Sequence, residues 1–84
     1  MDVSDLIAIR IKELLKEKHI SIYKLEQLTG ICNSTLYMFL NRQTKTIRIE
    51  NLVYVCDALK ISIREFFDDK RFDNVSASEW RKDK

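Results

Sequence analysis

The chain has 84 residues and a formal net charge of +2 at pH 7, and 45% of its residues are hydrophobic. This length fits one domain with a modest core and excludes a second domain. Two cysteines without a C-x-x-C motif and one histidine indicate neither a disulfide framework nor a zinc site, and we expect both thiols to be reduced. The charged N-terminal segment lacks the apolar run of a signal peptide, and no segment approaches the ~18 apolar residues that span a bilayer. These features predict a soluble, cytoplasmic protein.

The charge is distributed unevenly along the chain. Lys and Arg outnumber Asp and Glu in residues 1–48, whereas the acids outnumber the bases in residues 49–69. This polarity indicates a dipolar molecule whose basic side can face a polyanion. A solvated surface without a partner gives a similar pattern.

The absence of proline and the single glycine favour an all-α domain. The first helix is predicted from about Ser4 to Lys18, with Ser4 or Asp5 as the N-cap residue. Its apolar stripe recurs at helical spacing and consists of Ile7, Ile11 and Leu14.

The second helix is predicted to begin after Ser21, a favourable N-cap, and to end at Thr29. Gly30 follows directly, and glycine adopts the left-handed conformation that ends many helices at little cost. The apolar residues expected on the buried side of this helix are Ile22, Leu25 and Leu28.

The third helix is predicted from Cys32 or Asn33 to about Leu40 or Asn41. It has a single apolar seam, which consists of Leu36, Phe39 and Leu40. The remaining side chains therefore face outward, and none of them is charged: Asn33, Ser34, Tyr37, Met38 and Asn41. Two short helices joined by a tight turn are thus expected over residues 21–41.

The fourth helix is predicted from about Arg48 to Leu59, with a core stripe of Ile49, Leu52, Val53, Cys56 and Leu59. Ser62 and Glu65 have the spacing of a capping box, which opens a fifth helix over "SIREFFDD". Phe66 and Phe67 in this helix are large enough to close a small core. Residues 70–84 show no clear period.

The sequence resembles the lambda-repressor-like, Cro-like helix-turn-helix regulators, also called the XRE family. The resemblance covers residues 9–67 and rests on "RIKELLKEKHIS", "LEQLTGICNSTL", Asn41 and "IENLVYVCDALKISIREFF". It implies a compact five-helix DNA-binding domain in which helices 2 and 3 form the helix-turn-helix. Several residues depart from the family pattern. Ile22 replaces a glutamine that commonly contacts a phosphate, Glu26 replaces a small residue, and Arg42 and Lys60 replace glycines.

In this motif, helix 3 (about residues 33–41) enters the major groove and reads base edges. Asn33 is the first candidate, because a carboxamide forms two hydrogen bonds with the N6 and N7 edge of adenine. Ser34 and Tyr37 are further candidates for base or phosphate contact, and Met38 for contact with a thymine methyl group. The competing interpretation is that Asn33 and Ser34 cap the third helix.

Phosphate contacts are expected from residues that flank the third helix, because the segment from Cys32 to Met38 has no Lys or Arg. The candidates are Lys24, Asn41, Arg42, Lys45 and Arg48. The alternative for Arg42, Lys45 and Arg48 is a charged loop that contacts only solvent. One chain with so few phosphate contacts is expected to bind weakly. We therefore predict that two copies bind two half-sites of the DNA as a homodimer.

Residues 1–69 are predicted to form the DNA-binding domain, followed by a tail over residues 70–84. Related repressors often pair through helix 5 and the segment after it. The candidate dimer contacts are therefore Phe66, Phe67, Phe72 and Trp80. The alternative is a disordered tail.

The sequence thus predicts a double-stranded-DNA-binding transcriptional regulator, most simply a repressor from a bacterium or phage. The sequence contains no catalytic constellation, so no enzyme activity, cofactor or metal is expected. One alternative is an antitoxin that uses the same DNA face and binds a toxin through a second surface. Another is a protein-interaction module whose third helix no longer contacts DNA.

Overall fold

The computed structural model describes residues 2–75, and Trp80 lies outside them. The described residues form five α-helices and one 3₁₀ helix. Their bounds are α1 (Val3–Glu17), α2 (Ile22–Thr29), α3 (Asn33–Leu40), α4 (Ile49–Ala58), α5 (Ile63–Phe66) and the 3₁₀ helix (Lys70–Asn74). The prediction of an all-α, five-helix domain is confirmed. Over residues 2–75, none of the helices is both long and apolar enough to cross a bilayer.

The first helix begins earlier than predicted. Asp2 is its N-cap residue, and the Asp2 carboxylate accepts a hydrogen bond from the Ser4 N–H at 3.1 Å. The Asp5 carboxylate in turn accepts one from the Asp2 N–H at 3.4 Å, which completes a capping box. Neither predicted N-cap is correct, because Ser4 is buried inside α1 and Asp5 is its third residue.

The predicted ends of α2 are confirmed. The Ser21 hydroxyl accepts from the Lys24 N–H at 3.0 Å, and Gly30 ends the helix with φ 77°. Arg42 and Lys60 also have positive φ, 60° and 62°. At these two positions the resembled family carries glycine, and here Arg42 and Lys60 adopt the left-handed conformation that favours glycine.

The core contains the apolar stripes of all five α-helices, and burying one such Leu or Ile side chain contributes roughly 1.5–3 kcal/mol. The stripe of α1 is buried as predicted. Three predicted core positions are wrong, because Leu28, Ile49 and Val53 are exposed. The buried side of α4 consists of Leu52, Val55 and Cys56, with Leu59 directly after the helix.

The fifth helix is a single turn, shorter than predicted. Ser62 is its N-cap and accepts from the Glu65 N–H at 3.0 Å. Phe66 is 0% exposed and fills the core, which contradicts its assignment as a dimer contact. Phe67 and Phe72 are partly buried and pack edge-to-face with ring centroids 4.8 Å apart.

Two arginines connect α1 to the C-terminal elements. Arg10 donates to the backbone carbonyls of Phe66 and Glu65, at 3.0 and 3.2 Å. Arg71 of the 3₁₀ helix pairs with Glu13 of α1 and with Asp69, each at 2.7 Å. The packed unit therefore continues beyond residue 69 to the end of the 3₁₀ helix.

Candidate nucleic-acid interface

The start of α3 is held by α2. The Glu26 carboxylate accepts a hydrogen bond from the Asn33 N–H at 3.1 Å. In the turn, the Thr29 hydroxyl donates to the Leu25 carbonyl at 2.8 Å and accepts from the Ile31 N–H at 3.1 Å. Buried Leu25 and Ile31 anchor both sides of this turn in the core. The two helices therefore form one rigid unit.

All four predicted base-reading side chains lie on the outer surface of α3. Asn33 and Ser34 are exposed at its first turn, and Tyr37 and Met38 are 52% and 38% exposed. The opposite side of α3 is buried through Leu36, Phe39 and Leu40. The helix thus presents an uncharged, hydrogen-bonding surface to solvent.

Asn33 and Ser34 do not cap α3. The N-cap residue is Cys32, and its side chain forms no cap hydrogen bond. The Cys32 thiol instead lies 3.0 Å from the Ser34 hydroxyl. This hydroxyl, together with the backbone N–H groups of Ser34 and Thr35, lowers the pKa of the exposed Cys32 thiol. The other cysteine, Cys56, is buried, and desolvation raises its pKa to about 11.

The Arg42 side chain forms hydrogen bonds with other residues of the protein. Its Nε donates to Asp5 of α1 at 2.8 Å, and its terminal nitrogens donate to the carbonyls of Phe39, Thr44 and Lys45 at 3.5, 3.1 and 3.3 Å. Its guanidinium also lies over the Phe39 ring, 5.1 Å from the centroid. Arg42 therefore connects α1, the end of α3 and the loop before α4.

The other predicted phosphate-binding residues are exposed on elements that flank α3. Lys24 lies in the first turn of α2, Asn41 is the C-cap residue of α3, and Lys45 lies in the following loop. Arg48 is the N-cap residue of α4, and its side chain is 80% exposed and 3.5 Å from Glu50. These polar and basic side chains thus lie before and after α3 along the chain.

Sequence reasoning missed several residues of this surface. A cavity of about 220 Å³ separates α3 from the loop before α4, and Thr44, Thr46 and Asn51 line it together with Ser34 and Met38. Tyr23 of α2 is exposed and accepts a hydrogen bond from Gln27 at 3.1 Å. The sequence signal for these residues was the pair Thr44 and Thr46, which lie in a basic loop without acidic residues. In the described part of the chain, no three His, Cys, Asp or Glu side chains are arranged to hold a metal.

The short helices α2 and α3 are joined by a tight turn, and α2 holds α3 so that polar side chains of α3 are exposed. This arrangement defines a helix-turn-helix DNA-binding domain. A family model of the Cro/C1-type HTH DNA-binding domain matches residues 10–71. The chain therefore belongs to the Cro/C1-type helix-turn-helix family, and the predicted resemblance to the lambda-repressor-like, XRE-type regulators is confirmed. This family and fold are those of DNA-binding transcription regulators rather than enzymes.

Solved structures agree with this assignment. The chain is similar to the prophage Lp1 protein 11, with a TM-score of 0.77 and 25% identity over 89% of this chain and 100% of that chain. It is also similar to a chain of the SinR protein/SinI protein complex, with a TM-score of 0.68 and 30% identity over 88% of this chain and 70% of that chain. A comparison with curated proteins gives no significant match.

Proposed function

We propose that this protein is a sequence-specific transcriptional repressor that reads the major groove of double-stranded DNA with α3. The observation that carries the proposal is the uncharged outer surface of α3, fixed from behind by its buried seam and by Glu26. A major groove about 12 Å wide admits one α-helix, and the reading helix must be rigidly held for its contacts to discriminate. Repression follows from occupation of the operator.

Direct readout is assigned to the first two turns of α3. Asn33 is placed against adenine, because its carboxamide NH₂ can donate to N7 while its carbonyl oxygen accepts from the N6 amino group, which gives a bidentate contact. Its backbone N–H already binds Glu26, so only the side chain is available to a base. Ser34 and Tyr37 supply hydroxyl groups, and Met38 supplies an apolar tip for a thymine methyl group.

Affinity is assigned to cations that flank α3. Lys24, Lys45 and Arg48 are exposed and positioned before and after it, and Asn41 adds an amide at its C-terminal end. Arg48 provides no side-chain cap for α4, so the first-turn N–H groups of α4 can also receive a phosphate oxygen. We assign Arg42 to loop positioning, since four of its donor interactions are made within the protein.

Three phosphate-binding cations per chain are few for tight binding. We therefore propose that two copies bind half-sites about 34 Å apart, which doubles both the phosphate contacts and the base contacts. About six phosphate contacts predict a slope near −5 for log K against log salt.

The decisive experiment is selection of bound duplexes from a random pool, followed by fluorescence-anisotropy titration of the selected duplex and a scrambled duplex at low and moderate salt. The proposal predicts an enriched, two-fold symmetric sequence and affinity that falls steeply with salt. An interaction module without DNA contacts gives neither result. Transcription in vitro from a promoter that carries the selected sequence should fall as protein is added, and a rise would contradict the repressor role.

A further inference from the structure

The loop that carries Lys45 and leads into α4 has few backbone hydrogen bonds of its own. Its first part is tied to α3, because the N–H groups of Gln43 and Thr44 donate to the Met38 carbonyl at 2.7 and 3.3 Å. Within the described residues 2–75, no backbone–backbone hydrogen bond involves residues 45–47. Other contacts must therefore hold the backbone around Lys45.

The Arg42 guanidinium supplies hydrogen bonds to this part of the loop. Its terminal nitrogens donate to the carbonyls of Thr44 and Lys45 at 3.1 and 3.3 Å, and also to the Phe39 carbonyl of α3 at 3.5 Å. Further along the loop, Ile47 is partly buried against the core. The backbone position of Lys45 thus depends on where the Arg42 side chain is held.

Asp5 of α1 in turn fixes the Arg42 side chain. The Asp5 Oδ1 accepts from Arg42 Nε at 2.8 Å, while its Oδ2 accepts from the Asp2 N–H at 3.4 Å. Both carboxylate oxygens have partners, which restricts the rotation of the carboxylate. Because the guanidinium is planar and rigid, an acceptor at Nε determines where its terminal nitrogens point.

We propose that Asp5 is a positioning residue for the phosphate contact of Lys45 and that it acts through Arg42. This inference rests on the proposed function, which assigns Lys45 to DNA phosphate. A loop that is ordered before binding loses less conformational entropy when its cation meets a phosphate. An acidic residue on α1 therefore supports DNA binding, although its charge alone opposes the approach of a polyanion.

The sign of a mutational effect separates positioning from simple electrostatics. Removal of an acidic residue should by itself strengthen the attraction between the protein and the phosphates. Asp5→Ala should instead lower affinity for the selected duplex about tenfold, or about threefold for each of two copies, because Lys45 must then be ordered on binding. The dependence of affinity on salt should keep the parent slope, since no cation is lost.

Asp2→Ala is the matched control. It removes an equal charge from the same end of α1 and breaks the same capping box, but it leaves the Asp5–Arg42 pair in place. Its affinity for the selected duplex should equal or exceed that of the parent. An unchanged or raised affinity of Asp5→Ala, or an equal fall in Asp2→Ala, overturns the positioning role.

A conservative variant separates positioning from loss of folding. Asp5→Asn keeps an acceptor oxygen for Arg42, so its affinity should lie between those of Asp5→Ala and the parent. Each affinity is measured at a temperature where urea unfolding shows the variant to be folded, and Asp5→Asn takes the place of Asp5→Ala if the latter does not fold. An affinity of folded Asp5→Asn above that of the parent refutes the proposal.

A double-mutant cycle with Lys45→Ala tests the route of the effect. If Asp5 acts on Lys45, Asp5→Ala should weaken binding by less than about twofold when Lys45 is already absent. A full tenfold fall in the Lys45→Ala background shows that the effect does not pass through Lys45 and overturns the proposal.

Backbone ¹⁵N order parameters of the free protein test the loop without DNA. Asp5→Ala should lower the values of Lys45 and Thr46 from about 0.85, typical of rigid backbone, toward about 0.6, while Asp2→Ala leaves them unchanged. Unchanged values in Asp5→Ala contradict the proposal. If the parent binds no duplex but the values fall in Asp5→Ala alone, Asp5 does anchor the loop and the proposed function is what fails.

Discussion

The Glu26 carboxylate of α2 accepts a hydrogen bond from the backbone N–H of Asn33, the first residue of α3, at 3.1 Å. This contact replaces the missing cap of Cys32, whose side chain makes no cap hydrogen bond. It also places a negative charge at the positive end of the α3 dipole, which is a stabilising arrangement. The residue that departs most from the family pattern in α2 therefore fixes the proposed reading helix.

Removal of this acceptor should destabilise the motif. Glu26→Ala leaves the Asn33 N–H without its partner and should lower the free energy of unfolding by roughly 0.5–2 kcal/mol, the usual cost of losing an N-terminal cap. Glu26→Gln keeps an acceptor oxygen and should recover most of the loss. Urea unfolding of the parent, Glu26→Ala and Glu26→Gln proteins measures these free energies of unfolding. Equal losses of stability in the two variants would contradict a capping role for Glu26.

The proposed division between readout and affinity predicts two different binding defects. Asn33→Ala should relax preference at one base pair by about 1–3 kcal/mol and leave the salt dependence unchanged. Lys45→Ala should weaken binding to all sequences equally and reduce the salt slope by about one per copy. Competition titrations with single-base variants of the selected duplex separate the effects. Unchanged base preference in Asn33→Ala would remove Asn33 from the readout.

Arg42 should act on folding stability more than on DNA affinity. Arg42→Ala removes the Asp5 pair and three carbonyl contacts and should lower the free energy of unfolding by about 1–2 kcal/mol. Arg42→Gly should lose about 1 kcal/mol less, because residue 42 has φ 60°, which favours glycine. Thermal and urea unfolding of the Arg42→Ala and Arg42→Gly variants measure these losses of stability. A stable Arg42→Ala protein with a salt slope reduced by one would instead establish a phosphate contact.

The ion pairs of Arg71 predict a defined dependence of stability on pH. Hydrogen bonds from Arg71 lower the pKa of Asp69 from 3.8 to about 2 and also lower the pKa of Glu13. A lowered folded-state pKa gives stability that is complete above the unfolded-state pKa and is lost as the pH falls through the folded-state value. Arg71→Gln should therefore have a lower urea midpoint than the parent at pH 6, and the difference should shrink between about pH 4 and pH 2 and vanish below that. A difference that is undiminished at pH 2 would exclude these carboxylates as its source.

The orientation of α4 predicts a contrast between two neighbouring apolar residues. Leu52→Ala should lower the free energy of unfolding by about 2–5 kcal/mol, because Leu52 is buried and its truncation leaves a cavity. Ile49→Ala should change it by less than about 0.5 kcal/mol, since Ile49 is exposed. Urea unfolding of the free protein at low concentration checks the contrast. Equal losses would show that Ile49 is in the core.

Local chemistry in the sequence was sufficient for the helix boundaries of the motif and for the outer surface of α3. Ser21 and Gly30 act within one or two turns of chain, so their effects do not depend on distant elements. A helix with one apolar seam has only one side that it can bury, and the seam of α3 therefore determined which residues face solvent.

Only the tertiary structure decided which side of α4 is buried and what the charged side chains bind. The α4 sequence contains apolar residues on more than half of its circumference, so periodicity alone did not distinguish Val53 from Val55. Packing against α2 and α5 determines which side of α4 is buried, because a helix buries the side that its neighbours contact. Arg42 and Asp5 are likewise 37 positions apart and meet only because α1 and α3 pack together. Long, flexible side chains find partners by proximity in space, which the order of residues along a chain does not specify.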